Sequence, residues 1–182
     1  MMAEDNTDVR SAIAVRRWKD VAHSHRLLEQ LDAIFFEASG TKTFADEDAR
    51  SAFRERWFGR YLAQHPQWAY VALSGDGRVA GYLVGAVDEG SGFEDFAAAA
   101  ADFPAQLHVN LAPQFRNRGI GAILIEAFAA DARRAGAKGM HVVTSADARN
   151  VRFYERVGFR ERSRTSVNGS ELVFLGRSLA DT

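Results

Sequence analysis

The most constraining feature lies in the middle of the chain, where residues 107–136 read LHVNLAPQFRNRGIGAILIEAFAADARRAG. Residues 106–111 alternate as a strand. A turn with Pro113 and two glycines follows, then a long helical pattern over 119–135 with Gly136 as its expected C-cap. N–H groups in the first turn of a helix lack internal partners, and with the helix dipole they attract a phosphate anion. Gly119 and Gly121 carry no β-carbon, so a ligand can approach the backbone closely, and Arg116 and Arg118 bring positive charge to the rim. The alternative is that the glycines merely permit tight packing of strand against helix.

The rest of the chain supplies the sheet this unit needs. Residues 11–18 alternate as a first strand. Leu27, Leu28, Leu31, Ile34 and Phe35 recur at helical spacing within 23–38, and 46–62 reads as a second helix. Strands at 68–73 and 79–87 flank SGDGR, a hairpin turn. Residues 89–103 are rich in Gly and Ala and read as a loop or weak helix. After the long helix come a strand at 139–144, a short helix at 150–157 stopped by Gly158, and strands at 159–166 and 171–176 joined around Asn168-Gly169. The order is strand, two helices, three strands, helix, strand, helix, two strands. It describes one mixed α/β (α+β) sheet.

Three phosphate-binding turns compete for residues 116–122. A Walker A loop needs Lys-Ser or Lys-Thr after its last glycine, and Ala122-Ile123 stands there. A dinucleotide fingerprint needs a third glycine where Leu124 stands. A nucleotide-binding protein is therefore disfavoured. The remaining pattern is R-x-x-G-x-G, Arg116 to Gly121. A second motif follows, DARNVRFYERVGF at 147–159, with a short helix carrying Phe-Tyr-Glu and ending at Gly-Phe. The two motifs, in this order and with a helix and a strand between them, resemble the GNAT N-acetyltransferases. FPAQLHVNLAPQFRNRGIG and GMHVVTSADARNVRFYERVGF are further similar to bacterial GNAT proteins related to the acetyltransferase-like domain fused to O-GlcNAcase.

The resemblance implies a mostly antiparallel GNAT-type sheet flanked by helices, with a splayed parallel central strand pair, and acetyl-CoA (coenzyme A) as co-substrate. By position, Val109 and Leu111 would offer backbone groups to the pantetheine arm and acetyl carbonyl. Arg116, Asn117, Arg118, Gly119, Ile120, Gly121 and Ala122 would hold the pyrophosphate, and Tyr154 would stand by the thioester sulfur. The family often has Asn seven residues before that Tyr. Here the position is Asp147, and Asn150, one helical turn before Tyr154, is the candidate replacement. The narrower group often has an acid where this chain has Asn110. These departures keep a second function open, a CoA-binding sensor or interaction domain without transfer activity.

The leading function is an acetyltransferase acting on a primary amine by direct attack in a ternary complex. The amine must lose a proton, a strand N–H near Leu111 would face the developing oxyanion, and the departing thiolate needs a proton. A tyrosine pKa of about 10 against about 8.5 for a thiol makes transfer from Tyr154 only modestly uphill. The base is open among Asp147, His108, His141 and a water chain. Each histidine also reads as a hydrogen-bonded structural residue, and Tyr154 as a core aromatic. Phe35, Phe36, Phe53 and Trp57 read as core or as acceptor-pocket lining. The cluster Asp46-Glu47-Asp48 reads as a helix N-terminus or an attraction for a cationic acceptor. The dipole at the C-terminal end of the long helix is enough to explain Arg133, Arg134 and Lys138.

Composition excludes other classes. A chain of 182 residues suits one core, read as a frayed tail at 1–9 and a single domain at 10–182. A net charge of -1 provides no general field for nucleic acid. With no cysteine there is no disulfide framework, zinc-cysteine site or cysteine nucleophile, and two histidines alone make no metal site. The acidic opening MMAEDNTDVRSAIAV lacks the apolar core of a signal peptide, and no apolar run approaches the roughly 20 residues needed to span a bilayer. A cytoplasmic monomer or homodimer with no membrane partner is expected.

Overall fold

The computed structural model describes residues 12–180, so the tail expected at 1–9 lies outside the described residues. Among the described residues, seven strands form one sheet in the order β1-β2-β3-β4-β5-β7-β6. They are Ala14–Arg17 (β1), Ala69–Leu73 (β2), Val79–Val87 (β3), Ala105–Leu111 (β4), Gly139–Ser145 (β5), Arg160–Val167 (β6) and Ser170–Ser178 (β7). The sheet is mostly antiparallel and β4–β5 is its parallel pair, the mixed fold the sequence implies. The chain divides into two contact units, one of residues 12–84 with Val109–Phe128 and one of Gly85–His108 with residues 129–180.

In the first unit, α1 (His25–Ala38) starts where the Ser24 hydroxyl accepts from Leu27 N–H. It buries Leu27, Leu31, Ile34 and Phe35, the one-face spacing of an amphipathic helix. Asp46 caps α2 (Glu47–Arg54) by accepting from Ala49 N–H at 2.8 Å, with Glu47 and Asp48 in the first turn, so the acidic cluster serves the helix terminus. The single helix expected at 46–62 is interrupted. A π-type turn, Glu55–Gly59, precedes α3 (Arg60–Gln64). Closure from i to i+5 sets positions five apart on one side. Phe53 and Phe58 thereby both reach Phe35, with ring centroids at 5.6 and 5.5 Å. Pro66 stops the helix, as expected. β2 and β3 then pair antiparallel across a turn whose Gly77 is left-handed at φ 78°.

In the second unit, residues 97–102 resolve the loop-or-helix ambiguity as a helix, α4 (Ala97–Asp102). Alanine is the strongest helix former, and Phe96 and Ala100 pack on Phe174. The next residue, Phe103, fills space that β-carbons at Gly139 and Gly176 would occupy, at 2.5 and 2.9 Å. α5 (Ile120–Arg134) ends at Gly136, φ 87°, with Ala137 N–H reaching back to Ala132 O at 3.0 Å. α6 (Val151–Arg156) precedes Gly158, φ 93°. The β6–β7 hairpin turns at Asn168 and Gly169, φ 50° and 80°, as the Asn-Gly pair requires. The parallel ladder pairs Ala105 with Met140 and Gln106 with His141. Within this unit it goes no further, although β4 and β5 both continue.

Candidate active site

The cofactor residues inferred from sequence in the first unit run from the end of β4 (Val109 and Leu111) through a turn (Arg116 to Gly119) into the start of α5 (Ile120 to Ala122). Past Leu111, Ala112 N–H donates to Ala80 O at 3.0 Å, and a tight turn, Pro113–Phe115, buries Phe115. Arg116 is extended, and then Asn117 and Gly119 are left-handed at φ 60° and 76°. Asparagine is among the few residues that tolerate this region. Alternating handedness of this kind is the backbone pattern of the concavities that bind anions in other proteins. The helical ladder begins only where Ile123 N–H meets Gly119 O at 3.2 Å, so the N–H groups of Ile120, Gly121 and Ala122 precede it. The fifteen residues of α5 put the positive end of a full helix dipole at this turn. Val109, Leu111, Arg118, Gly119 and Ala122 are half-buried, Ile120 and Gly121 buried, Arg116 and Asn117 exposed.

Arg116, expected as a rim cation, is exposed and has protein partners. Its guanidinium pairs with Glu37, and its Nε donates to Leu111 O at 3.2 Å. Asn110 is also engaged, its amide donating to the Tyr82 hydroxyl at 2.8 Å. Burial pushes the Tyr82 phenol well up, the Asn110 bond opposes this, and Asp32 adds to it. Asp32 in turn pairs with Arg54 at 2.7 Å. Tyr82 and Glu37 carry no signal in the sequence, because their partners lie 28 and 79 positions away. Of the aromatics with two readings, Phe35 is core, whereas Phe36, Phe53 and Trp57 are half-buried.

The remaining site residues lie in the second unit. Tyr154 on α6 is buried against Phe153 and Phe159, with ring centroids at 5.2 and 5.5 Å. Burial raises its pKa well above the ordinary phenol value. Asn150 begins the short helix. Its carbonyl accepts from Tyr154 N–H at 3.0 Å and its side-chain oxygen accepts from the Thr144 hydroxyl at 3.1 Å, which ties α6 to β5. Asp147 is exposed in the turn between them, and His108 is half-buried on β4.

His141 is fully buried, stacked on Phe174 at 4.5 Å, with Nδ1–H donating to Phe103 O. Burial lowers its pKa to about 4, partly offset by that bond. It is neutral near pH 7, a weaker base than free histidine, and is held as a hydrogen-bonded structural residue.

Among the described residues no group of three His, Cys, Asp or Glu is arranged to hold a metal ion, and no helix is long and apolar enough to cross a membrane. Comparison with solved structures shows the same fold at low sequence identity. SsHAT is 22% identical with a TM-score of 0.71, covering 93% of this chain and 100% of that one. The NatC complex bound to Gag peptide and CoA gives 14% and 0.65, covering 92% and 99%. The yncA protein from Salmonella typhimurium, solved with its cofactor acetyl-CoA, gives 20% and 0.58, covering 94% and 96%. A family model described as "Acetyltransferase (GNAT) family" matches residues 25–159. With that match over most of its length, and with the glycine turn and the tyrosine helix both inside the matched region, the chain belongs to the GNAT acetyltransferase family.

Proposed function

We propose that the protein moves an acetyl group from acetyl-CoA to a primary amine by direct attack, with residues 10–182 acting as one catalytic domain. The observation that carries this reading is the turn from Asn117 to Ala122, where two left-handed residues and three N–H groups ahead of the helical ladder fit a diphosphate. Acetyl-CoA supplies the activated acetyl group as a thioester. The backbone of Val109 and Leu111 receives the pantetheine arm, Arg118 adds charge at the diphosphate, and Asn150 orients the tyrosine helix.

Tyr154 holds the proton that the leaving sulfur requires. Its burial has two consequences. The phenol stays neutral throughout the physiological range, and it is a poorer acid than free tyrosine. A thiolate released into equally dry surroundings is a stronger base by the same physics, so the difference between the two groups, which governs the transfer, closes again. The base is Asp147, His108 or a water chain. His141 is set aside because its ring is fully buried against Phe174 with Nδ1–H held by Phe103 O.

The test begins with thermal shift. Acetyl-CoA stabilises the protein and ATP or NAD does not. A panel of amines is then scanned for release of free CoA thiol. Tyr154→Phe lowers kcat about 10²-fold or more, while the Kd for CoA stays within about twofold. Stabilisation by ATP or NAD in place of CoA refutes the reading. Tight acetyl-CoA binding with no thiol release from any amine converts it to a CoA-binding module without transfer activity.

A further inference from the structure

Arg116 opens the R-x-x-G-x-G pattern, where charge at the phosphate rim is the obvious role. Its guanidinium is already committed. Nη2 pairs with the Glu37 carboxylate in the last turn of α1, and Nε donates to the carbonyl of Leu111 at the end of β4. The pair is half-exposed on both sides, with side-chain exposures of 41% and 43%. The end of α1 is clamped in addition, since Lys42 donates to the carbonyls of Phe36 and Glu37 at 3.2 and 2.6 Å. On the other side of Arg116, the tight turn is closed by Phe115 N–H to Ala112 O at 2.9 Å and Arg116 N–H to Pro113 O at 3.3 Å. The left-handed pair begins at the very next residue, Asn117. One side chain therefore joins the end of a helix, the end of a strand and the start of the anion-binding curl. A guanidinium neutralised by a carboxylate brings little net charge to a phosphate, which leaves Arg118 as the cation of this turn with no ion pair among the described residues.

We infer that Arg116 is a positioning residue and not a phosphate ligand: with Glu37 it latches the glycine turn to α1 and so sets the direction of the N–H groups from Asn117 to Ala122. The inference rests on the acetyl-CoA reading above. The two roles make opposite predictions for Glu37→Gln. A latch loses its anchor and cofactor binding weakens. A phosphate ligand is set free and binding holds or tightens.

The experiment measures the CoA Kd by calorimetry, and the acetyl-CoA KM and kcat, for wild type, Glu37→Gln, Arg116→Met, the double variant and the swap Glu37→Arg with Arg116→Glu. The latch predicts that both single variants weaken CoA binding by roughly two- to fivefold, the scale of a half-exposed ion pair. The double variant is then no worse than the weaker single, KM rises with kcat within about twofold, and the swap recovers most of the loss. Unchanged or tighter binding by Glu37→Gln beside weaker binding by Arg116→Met overturns it. Hydrogen exchange over residues 112–122 without ligand supplies the independent arm. Faster exchange, equal in both singles and the double, supports the latch even if wild type fails to bind CoA, a failure that counts against the proposed function instead. Unchanged exchange in both singles overturns the latch.

Discussion

Gly81 gives the sharpest test of how β3 shapes β4, the strand proposed to receive the cofactor. It lies on β3 with ordinary negative-φ backbone, so only space forbids a side chain there. A β-carbon built on Gly81 meets Leu111 Cδ2 at 2.3 Å, the carbonyl oxygen of Asn110 at 2.7 Å and Leu111 Cα at 3.3 Å. The leucine methyl can rotate away, but the carbonyl belongs to the β4 backbone. Ordinary contact begins at 3.4 Å, so β4 would have to retreat by about 0.7 Å at Asn110, and inserting an atom into packing this tight costs about 1–3 kcal/mol. For a chain of this size that lowers Tm by roughly 2–12 °C. The same movement displaces Leu111, so under its proposed cofactor role the acetyl-CoA KM rises with Gly81→Ala. Gly40→Ala is the control, since nothing lies within 4 Å of its β-carbon, and its stability should change by less than about 0.5 kcal/mol. Thermal melts and cofactor titrations of the two variants are compared. A Gly81→Ala protein as stable as wild type and with wild-type KM refutes the close approach of β3 to β4 as the element that sets the cofactor strand.

Two further outcomes follow from buried polar groups. The folded pKa of His141, about 4, lies below the ordinary histidine value of 6.5. The unfolded chain therefore binds a proton that the folded chain refuses. This contribution is fully present above about pH 6.5 and is lost as pH falls toward 4, with a limiting size on the order of 3 kcal/mol. Urea titrations between pH 7 and 5 should show a shallower loss of stability in His141→Gln than in wild type, and equal slopes refute the assignment. Tyr82→Phe removes the oxygen that accepts from Asn110. It should cost about 1–2 kcal/mol by leaving that amide without its partner, read from the urea midpoint at constant m-value, and a midpoint equal to wild type counts against it.

The two motifs were readable because each is a local object. Gly119, Gly121, Asn168-Gly169 and Gly136 sit where backbone conformation is dictated within a few residues, and all but Gly121 have left-handed backbone there. Asp46 announces a helix start by a hydrogen bond only three residues long. The amphipathic spacing of Leu27, Leu31, Ile34 and Phe35 likewise needs no knowledge of what the face packs against. The π turn at Glu55–Gly59 was not readable, because it answers to Phe35, on another helix, and not to its own segment.

Side-chain chemistry at the site depended on distance through space. The sequence by itself determined that a strand enters a glycine turn and then a long helix, that Tyr154 rides a short helix, and that Asn110 and Asp147 depart from the pattern. Only the tertiary structure decided that Arg116 is held by Glu37, that Asn110 serves Tyr82, that His141 is sealed and neutral against Phe103 and Phe174, and that burial raises the Tyr154 pKa. Backbone geometry is set by neighbours along the chain, so it leaves a trace in residue order. Charge state and hydrogen-bond partnership are set by whatever folding brings within a few ångströms, and partners 28 or 79 positions apart leave no such trace.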